Sequence, residues 1–341
     1  LEKEGEYMGE VNIKDIANIA GVSVSTVSRV INDNYPVSAE VKKRVQEVMK
    51  KLDYHPNAVA RSLRMNRTNT VALIIADLTN NFFMGIAKGL EYQLSEMGYS
   101  LVIASSGGDI EREQKLIDML VAKKVDALVA ATVDSEPDKL KGCIAQGIPV
   151  ILVDRLLNGI STNQISWNNF ESAYKLTELL IKNGHKRIGI INVHLSNSNG
   201  AERLDGFRQA MEDYHIPLRK EFVSQANFSE NQAYDSVLKM MRMPERPTAL
   251  FCANNVMVEG ALSALQDLQL KVYEDISMVA MGNLSCNKYI HPKITCAVQD
   301  SFKMGVKAGD ILKDVLNGKQ FYTAQIRMET ELKEYGSIKK I

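Results

Sequence analysis

Cysteine is scarce in this chain. Cys143, Cys252, Cys286 and Cys296 form no CxxC pair and have no companion histidines at metal-ligand spacing, which excludes a disulfide scaffold and a structural zinc site. Long apolar runs are missing too: none approaches the ~18 residues of a membrane span, and the acidic start is no secretory leader. Net charge is absent, with 41 Lys plus Arg against 41 Asp plus Glu. No GxGxxG follows a strand-like run, and neither GxxxxGK[ST] nor GxSxG occurs, so the loops and elbows of common cofactor and nucleophile enzymes are wanting. The five histidines mostly fall in turn-like or helix-end contexts. These absences point away from an enzyme, a membrane protein and a secreted protein. Free thiols fit a reducing cytoplasm. The 45% hydrophobic and 24% charged shares over 341 residues describe a globular chain of two or three domains.

The neutral total conceals an asymmetry. Residues 11–67 hold ten bases and five acids, a net +5, whereas residues 1–10 carry −3 and read as a tail or expression remnant. A small basic unit on a near-neutral body is the footprint of a polyanion binder, although a solvated helical face gives the same charge.

Local pattern separates these readings. Asn12 with Asp15 forms a capping-box start to a helix carrying Ile16, Ala17, Ile19 and Ala20, and Gly21 breaks it. Ser23 caps a second helix, VSTVSRVIN, with Val27, Val30 and Ile31 inward and Ser25, Thr26, Ser28, Arg29 and Asn32 outward. Ser38 caps a third, with Val41, Val45, Val48, Met49 and Leu52 at spacings of three and four. Two short helices joined by a glycine turn, with a third behind, form a helix-turn-helix; a generic three-helix packing module has the same outline. Small hydroxyls permit close approach to phosphates, and one arginine can fork onto guanine O6 and N7. Pro56 ends the third helix, and Asn57 can cap a short fourth with few apolar anchors, which needs an external partner to form; a plain linker is the alternative.

From residue 70 the pattern changes. Continuous apolar runs at 71–77, 100–105, 126–132, 149–154, 187–192, 249–254 and 276–281 alternate with amphipathic stretches. Such a chain builds parallel sheets covered on both faces. Seven strands divide into two sheets at the polar, Gly-containing break 158–164, which predicts two doubly wound α/β lobes.

The strings IKDIANIAGVSVSTVSRVIN and VSAEVKKRVQEVMKKLDYHPNAVARSL resemble the DNA-binding head and hinge of the LacI/GalR family of bacterial regulators, densely over residues 12–64. The resemblance implies an all-α helix-turn-helix head (11–56), a hinge helix and linker (57–69), and an α/β two-lobed, type I periplasmic-binding-protein-like domain of doubly wound parallel sheets (70–341). Lobe 1 is expected over about 70–164 and 298–327, and lobe 2 over about 165–297 and 328–341. It further implies a cytoplasmic homodimer, reading an inverted-repeat operator as a repressor. Val24, Ser25 and Arg29 fall at base-reading positions, and Ser23, Thr26, Ser28, Asn32 and Tyr54 at phosphate positions. Asn57, Ala60, Leu63 and Arg64 fall where the hinge enters the minor groove, with Leu63 as the kinking wedge. No leucine heptad is legible after the last strand-like segment, so a dimer rather than a coiled-coil tetramer is expected.

By the same resemblance a small effector sits between the lobes. Strand ends and family positions together nominate Asp77, Thr79, Asn80, Phe82, Asp154, Arg155, Arg203, Phe228, Asn255 and Gln299, with His194 as the one histidine near the cleft. An aromatic face with polar forks suits a sugar or sugar derivative; for Asp77 and Asp154 a helix cap or a strand-end ion pair is an equal alternative. Three carboxylates usual in the family are replaced here by Asn168, Asn255 and Gly282. That favours a phosphorylated or acidic effector, or a degenerate pocket served by a protein co-regulator. A phosphocarrier docking near residues 300–316 would meet mixed charge, as Lys303, Lys307 and Asp310 show. A sugar-binding transport protein shares the two-lobed fold, but the basic head argues against it. No cofactor or metal is expected.

Overall fold

The computed structural model describes residues 11–32, 35–54, 67–195, 197–319 and 323–341. The chain divides into two units, residues 1–68 and 69–341. The tail (1–10) and the hinge positions Asn57, Ala60, Leu63 and Arg64 lie outside the described residues, as does the side chain of Asn32.

In the first unit, α1 (Ile13–Ala20) starts on a reciprocal capping box: Asn12 Oδ1 accepts from the Lys14 N–H, and the Asp15 carboxylate accepts from the Asn12 N–H, both at 2.9 Å. Gly21 ends it in the left-handed region, φ 64°, where a side chain would be strained. Helices α2 (Val24–Asn32) and α3 (Ala39–Lys51) follow, the latter capped by Ser38. Ile16, Ala17, Ala20, Val27, Val30 and Val45 are buried together, ringed by the half-buried Ile31, Val41, Val48, Met49, Leu52 and Tyr54.

The second unit holds two six-stranded sheets. Its first half runs β1 (Thr70–Ile75), α4 (Asn81–Glu96), β2 (Ser100–Ser105), α5 (Ile110–Ala122), β3 (Ala127–Ala130), α6 (Asp138–Ala145), β4 (Val150–Asp154) and β5 (Asn163–Trp167). The second half runs α7 (Asn169–Lys182), β6 (Ile188–Asn192), α8 (Ser198–Asp213), β7 (Val223–Gln225), α9 (Glu230–Met241), β8 (Ala249–Cys252), α10 (Asn255–Asp267), β9 (Ser277–Met281) and β10 (Thr295–Val298). The chain then returns through α11 (Ser301–Leu316), β11 (Gln325–Met328) and β12 (Glu331–Lys333). The first sheet has the order β11-β5-β4-β3-β1-β2 and is all parallel; the second has the order β12-β10-β9-β8-β6-β7, with β12 alone antiparallel.

Strands β3, β4, β6, β8 and β9 are buried along their whole length, which is why they read as unbroken apolar runs rather than alternating ones. Helices cover both faces, producing two apolar layers per sheet. The helix pair α4/α11 ties the returning segment to lobe 1. A Cβ on Gly305 would overlap the Ile86 carbonyl, and one on Gly89 the Phe302 carbonyl, so these helices touch backbone to backbone.

Three expected boundaries need correction. A break between 164 and 165 would cut through β5, which belongs to the first sheet up to Trp167. Its sequence, NQISW, looks like a turn because Asn163, Gln164 and Ser166 are polar, yet all three are buried. Gln164 exchanges two hydrogen bonds with the Leu157 backbone (2.7 and 2.9 Å), and Ser166 Oγ donates to the Asp154 carbonyl at 2.9 Å, so the polarity is satisfied inside. Val298 still belongs to β10 of the second sheet, and Met328 closes β11 of the first. The crossings therefore lie at 168, 299–300 and 329–330.

Candidate functional site

On the head, α2 presents one exposed polar face. Val24 is exposed despite being apolar, at 41%, beside the exposed Ser25 and Arg29. The Arg29 guanidinium stands 5.4 Å from the centre of the Tyr35 ring, a cation–π contact that steadies it. Ser23 Oγ accepts from the Thr26 N–H at 3.2 Å and lies 2.7 and 2.9 Å from the hydroxyls of Ser25 and Thr26. Ser23 therefore caps α2 and holds three hydroxyls in one cluster. Ser28 is half-buried on the same helix, and Tyr54 is half-buried against the head's apolar core.

In the second unit, strand carboxyl ends from both sheets meet at a cleft of about 470 Å³. The strand order reverses beside β1 in the first sheet and beside β6 in the second, and ligands of doubly wound sheets sit outside such points. Lobe 1 contributes Asp77, Asn80, Phe82, Asp154 and Arg155, and lobe 2 contributes Arg203, Phe228 and Asn255, with Gln299 on the crossover. Nine of the ten nominated residues are thus brought together, and His194 joins them.

Thr79 is the exception and a correction. Its backbone N–H and its hydroxyl both donate to Asp77 Oδ1 at 2.8 Å, which closes the strand-to-helix turn and points the side chain to a smaller neighbouring cavity of about 180 Å³. Asn168 also stands outside the cleft. It caps α7 through the Glu171 N–H and donates to Glu329 at 3.2 Å, so a carboxylate missing there is not missing from the cleft. Gly282, by contrast, has φ 107°, and a Cβ there would stand 3.6 Å from Asn255 Cβ and 4.0 Å from Gln299 Oε1.

The charges at the floor of the cleft are the buried Arg203 and Asp154 and the half-buried Arg155. Arg203 is 3% exposed; its Nε donates to Asn169 Oδ1 at 2.9 Å and its Nη1 to the Ala253 carbonyl at 2.6 Å. Burial pulls its pKa down to about 10, which still leaves it charged at neutral pH. Asp154 is 5% exposed and held in the left-handed region at φ 73°. Burial pushes its pKa up, against the opposing pull of Arg155, Arg203 and a hydrogen bond from Asn199. Arg155 donates from Nη1 to the Thr132 carbonyl at 3.0 Å and lies 5.6 Å from the centre of the Phe228 ring, a contact from lobe 1 to lobe 2. Beneath it Glu113, buried and shifted up by desolvation, accepts from the Thr132 hydroxyl and from the Val133 N–H at 2.9 Å, fixing the end of β3.

Beyond Asn80, Asn255 and Gln299, the sequence reading overlooked the cleft's further carboxamides. Asn197, Asn199, Asn227 and Asn254 also line the cleft, together with Phe83 and the glycine pair Gly107 and Gly108. Asn254 and Gln299 are 6% and 5% exposed, and their amide nitrogens find no hydrogen-bond partner among the described residues. A string such as HLSNSNG at a strand end was the available signal. Among the described residues no His, Cys, Asp and Glu cluster could hold a metal ion, and no helix is long and apolar enough to cross a membrane.

Comparison with known proteins follows this division. Residues 12–57 match the family described as bacterial regulatory proteins, lacI family, and residues 71–320 match the periplasmic binding protein domain. The HTH-type transcriptional repressor PurR of Actinobacillus pleuropneumoniae serotype 3 is 33% identical over 322 residues, covering 94% of this chain and 96% of that protein. The repressor of the same name from Vibrio vulnificus is 33% identical over 331 residues, covering 96% and 99%. Among solved structures, a lac repressor dimer bound to operator and the anti-inducer ONPF superposes with a TM-score of 0.86 at 23% identity, covering 96% of this chain and 99% of that one, which shows the shared fold. A complex of the transcriptional regulator CelR with cellobiose aligns at TM-score 0.73 and 26% identity, with coverage of 96% and 99%. Head, cleft and near-full-length relatives agree: the chain belongs to the LacI family of bacterial regulatory proteins.

Proposed function

We propose that this protein is a cytoplasmic transcriptional repressor that binds an inverted-repeat operator as a homodimer and takes a small effector, a sugar or sugar derivative, in the cleft. The observation that carries the effector reading is the pair of buried, unpartnered amide donors, Asn254 Nδ2 and Gln299 Nε2, on the wall of a 470 Å³ cleft. An unsatisfied buried donor costs roughly 1–3 kcal/mol, a cost that a ligand oxygen removes. Phe82 and Phe228 offer ring faces to the C–H face of a sugar, and the carboxamides offer forks to its hydroxyls. A solved relative in complex with cellobiose supports a ligand of that chemistry. A degenerate pocket run by a phosphocarrier has less support, because Lys303 on the docking helix is paired with Asp300 at 3.4 Å.

On DNA, Arg29 supplies the forked base contact, and Val24 and Ser25 supply short contacts beside it. Ser23, Thr26 and Ser28, with Asn32 and Tyr54, meet phosphates, while the hinge residues enter the minor groove. Effector and operator are coupled by linkage: a ligand that bridges Asp154 and Arg155 of one lobe to Arg203 and Asn254 of the other favours one lobe angle, and so biases the DNA-competent state.

The test is selection of random duplex DNA on the full chain, followed by fluorescence anisotropy on the enriched site with and without compounds that raise the melting temperature. The expected result is a two-fold symmetric site whose affinity changes with a stabilising compound. Enriched sites without symmetry would remove the dimeric operator reading, and stabilising compounds that never alter DNA affinity would remove the effector coupling.

A further inference from the structure

The cleft is lined unevenly by charge. The lobe 2 wall contributes His194, Arg203, Phe228 and a row of asparagines, and among its described residues there is no carboxylate. Lobe 1 contributes Asp77 and Asp154. Asp77 is exposed at the mouth with Oδ1 occupied by Thr79, and Asp154 is shared between Arg155 and Arg203. At depth Arg155 and Arg203 share Asp154, and Glu113 lies behind Arg155 rather than on the cleft wall, so the carboxylates present are already engaged.

Helix ends point the same way. Three helices have capping residues that themselves line the cleft: α4 on Asn80, α8 on Asn197 and α10 on Asn254. All three caps are neutral carboxamides, and none of the three helices carries an acid in its first turn. Helices α5, α6, α7 and α9 each carry at least one. The positive ends of α4 and α10 are thus left without the carboxylate that helix N-termini favour, whereas α8 has Asp154 bonded to Asn199 in its first turn. Independently, Asn254 Nδ2 and Gln299 Nε2 are donors with no acceptor among the described residues. Asn254 spends Oδ1 on the Met257 N–H at 2.8 Å, which fixes the amide so that its NH₂ remains for the cleft. The glycine at 282 adds no side chain of its own to the space beside Asn255 and Gln299.

We propose that the effector is an oxyanion on a polyhydroxylated frame, a sugar acid or a sugar phosphate, and that Asn254, Gln299 and Arg203 receive its charged group. The inference rests on the reading of the cleft as an effector site. It differs from a neutral-sugar pocket in requiring donors without competing carboxylates where the charged group sits.

The experiment uses the full chain and its Asn254→Asp and Gln299→Glu variants. Both replacements keep shape, and Asn254→Asp retains an oxygen to cap α10, but each exchanges the free donor for a negative acceptor. Binding is measured by calorimetry and by melting-temperature shift with inorganic phosphate, gluconate, glucuronate, glucose 6-phosphate and ribose 5-phosphate, with glucose and ribose as neutral counterparts. Anionic probes are expected to bind the native chain more tightly than their neutral counterparts, and at least about tenfold more weakly to either variant, since a like charge at contact distance costs more than the 1.4 kcal/mol of a tenfold change. Preference for the acids or for the phosphate esters separates the two sources of charge. Neutral sugars binding as tightly as the anions would overturn the oxyanion assignment while leaving the effector site intact. Anions that bind the variants undiminished would overturn it as well. Silence from every probe would overturn it together with the sugar-effector reading.

Discussion

Replacing Arg203 with Met tests whether the cleft floor is a balanced charge cluster. The side chain is almost fully buried, donates to two acceptors that have been withdrawn from water, and faces the buried Asp154. Removing one member of a buried pair costs about 3–5 kcal/mol, because the remaining charge loses its compensation. The stranded Asn169 and Ala253 oxygens fall within that figure rather than adding to it. For a unit of this size, each 1 kcal/mol lowers the melting temperature by about 2–4 °C, so Arg203→Met should melt roughly 10 °C below the native chain. Trp167 is the chain's single tryptophan and is fully buried in the second unit, so its fluorescence follows that unit's unfolding without a contribution from the head. The sign with pH is also determined. Burial raises the Asp154 pKa above its unfolded value, so its charge destabilises the fold as pH climbs through the window between those values. Loss of Arg203 widens that window, and the deficit of Arg203→Met should shrink on acidification. Adding Asp154→Asn to Arg203→Met removes a carboxylate that has lost one of its two guanidinium partners and should recover part of the loss, with Glu113 still near Arg155. A deficit below about 1 kcal/mol, or a double variant less stable than the single one, would refute the cluster.

Other consequences are simpler to state. Arg29→Ala should cost about 1–3 kcal/mol on the operator and little on random DNA in an anisotropy titration; equal losses on both would move Arg29 from base to phosphate contact. Gly305→Ala should destabilise by about 2 kcal/mol in urea unfolding, since α4 and α11 must part to admit a Cβ, whereas Gly142→Ala, which meets nothing within 4 Å, should gain about 0.5–1 kcal/mol. His185 bonds Thr248 Oγ1 at 2.9 Å and the Lys339 carbonyl at 3.0 Å, and burial lowers its pKa. The native chain should therefore lose stability as pH falls from the unfolded histidine value toward the lowered folded one, and His185→Gln should flatten that slope; an unchanged slope would exclude the buried imidazole as its source.

Legibility in the sequence followed the strength of local physics. The capping box at Asn12 and Asp15 and the left-handed Gly21 are local signals, and the head is arranged as they require. Most central strands were visible because burial on both faces demands unbroken apolar runs, although the four-residue β10 was too short to stand out. Strand β5 was not visible either, since it satisfies polar side chains against the 155–162 loop and backbone of its own lobe, and no window of sequence displays that partner. The short edge strands β7, β11 and β12 escaped for a related reason: pairing with a neighbour, rather than composition, makes them strands. In the cleft, charged and aromatic residues at strand ends drew attention together with Asn80 and Asn255, while Asn197, Asn199, Asn227 and Asn254 did not, because asparagine after a strand is equally the usual helix cap. Asn80, Asn197 and Asn254 are caps and cleft walls together.

That double duty bears on how a ligand could move the lobes. Asn80 Oδ1 accepts both from the Phe82 N–H at 3.0 Å, as cap of α4, and from Asn255 Nδ2 at 3.1 Å, across the cleft. Besides the buried Asp154–Asn199 hydrogen bond, three further polar bridges join the lobes: Asn81 to Ser285 at 3.2 Å, the Leu156 N–H to Ser198 Oγ at 3.0 Å, and Arg327 to Glu202 at 2.7 Å. Each of these three is partly solvated, and such contacts net only about 0.5–1.5 kcal/mol apiece, less for an exposed ion pair. If the lobes part, the cap on α4 survives and only the cross-cleft bonds are lost. Closure is thus worth a few kcal/mol, the same size as the differential affinity one small ligand can supply through two or three charge-assisted hydrogen bonds. A stronger apolar seam would hold the lobes at one angle whatever was bound. Weak polar bridges leave the angle for the ligand to decide, and a regulator needs that balance.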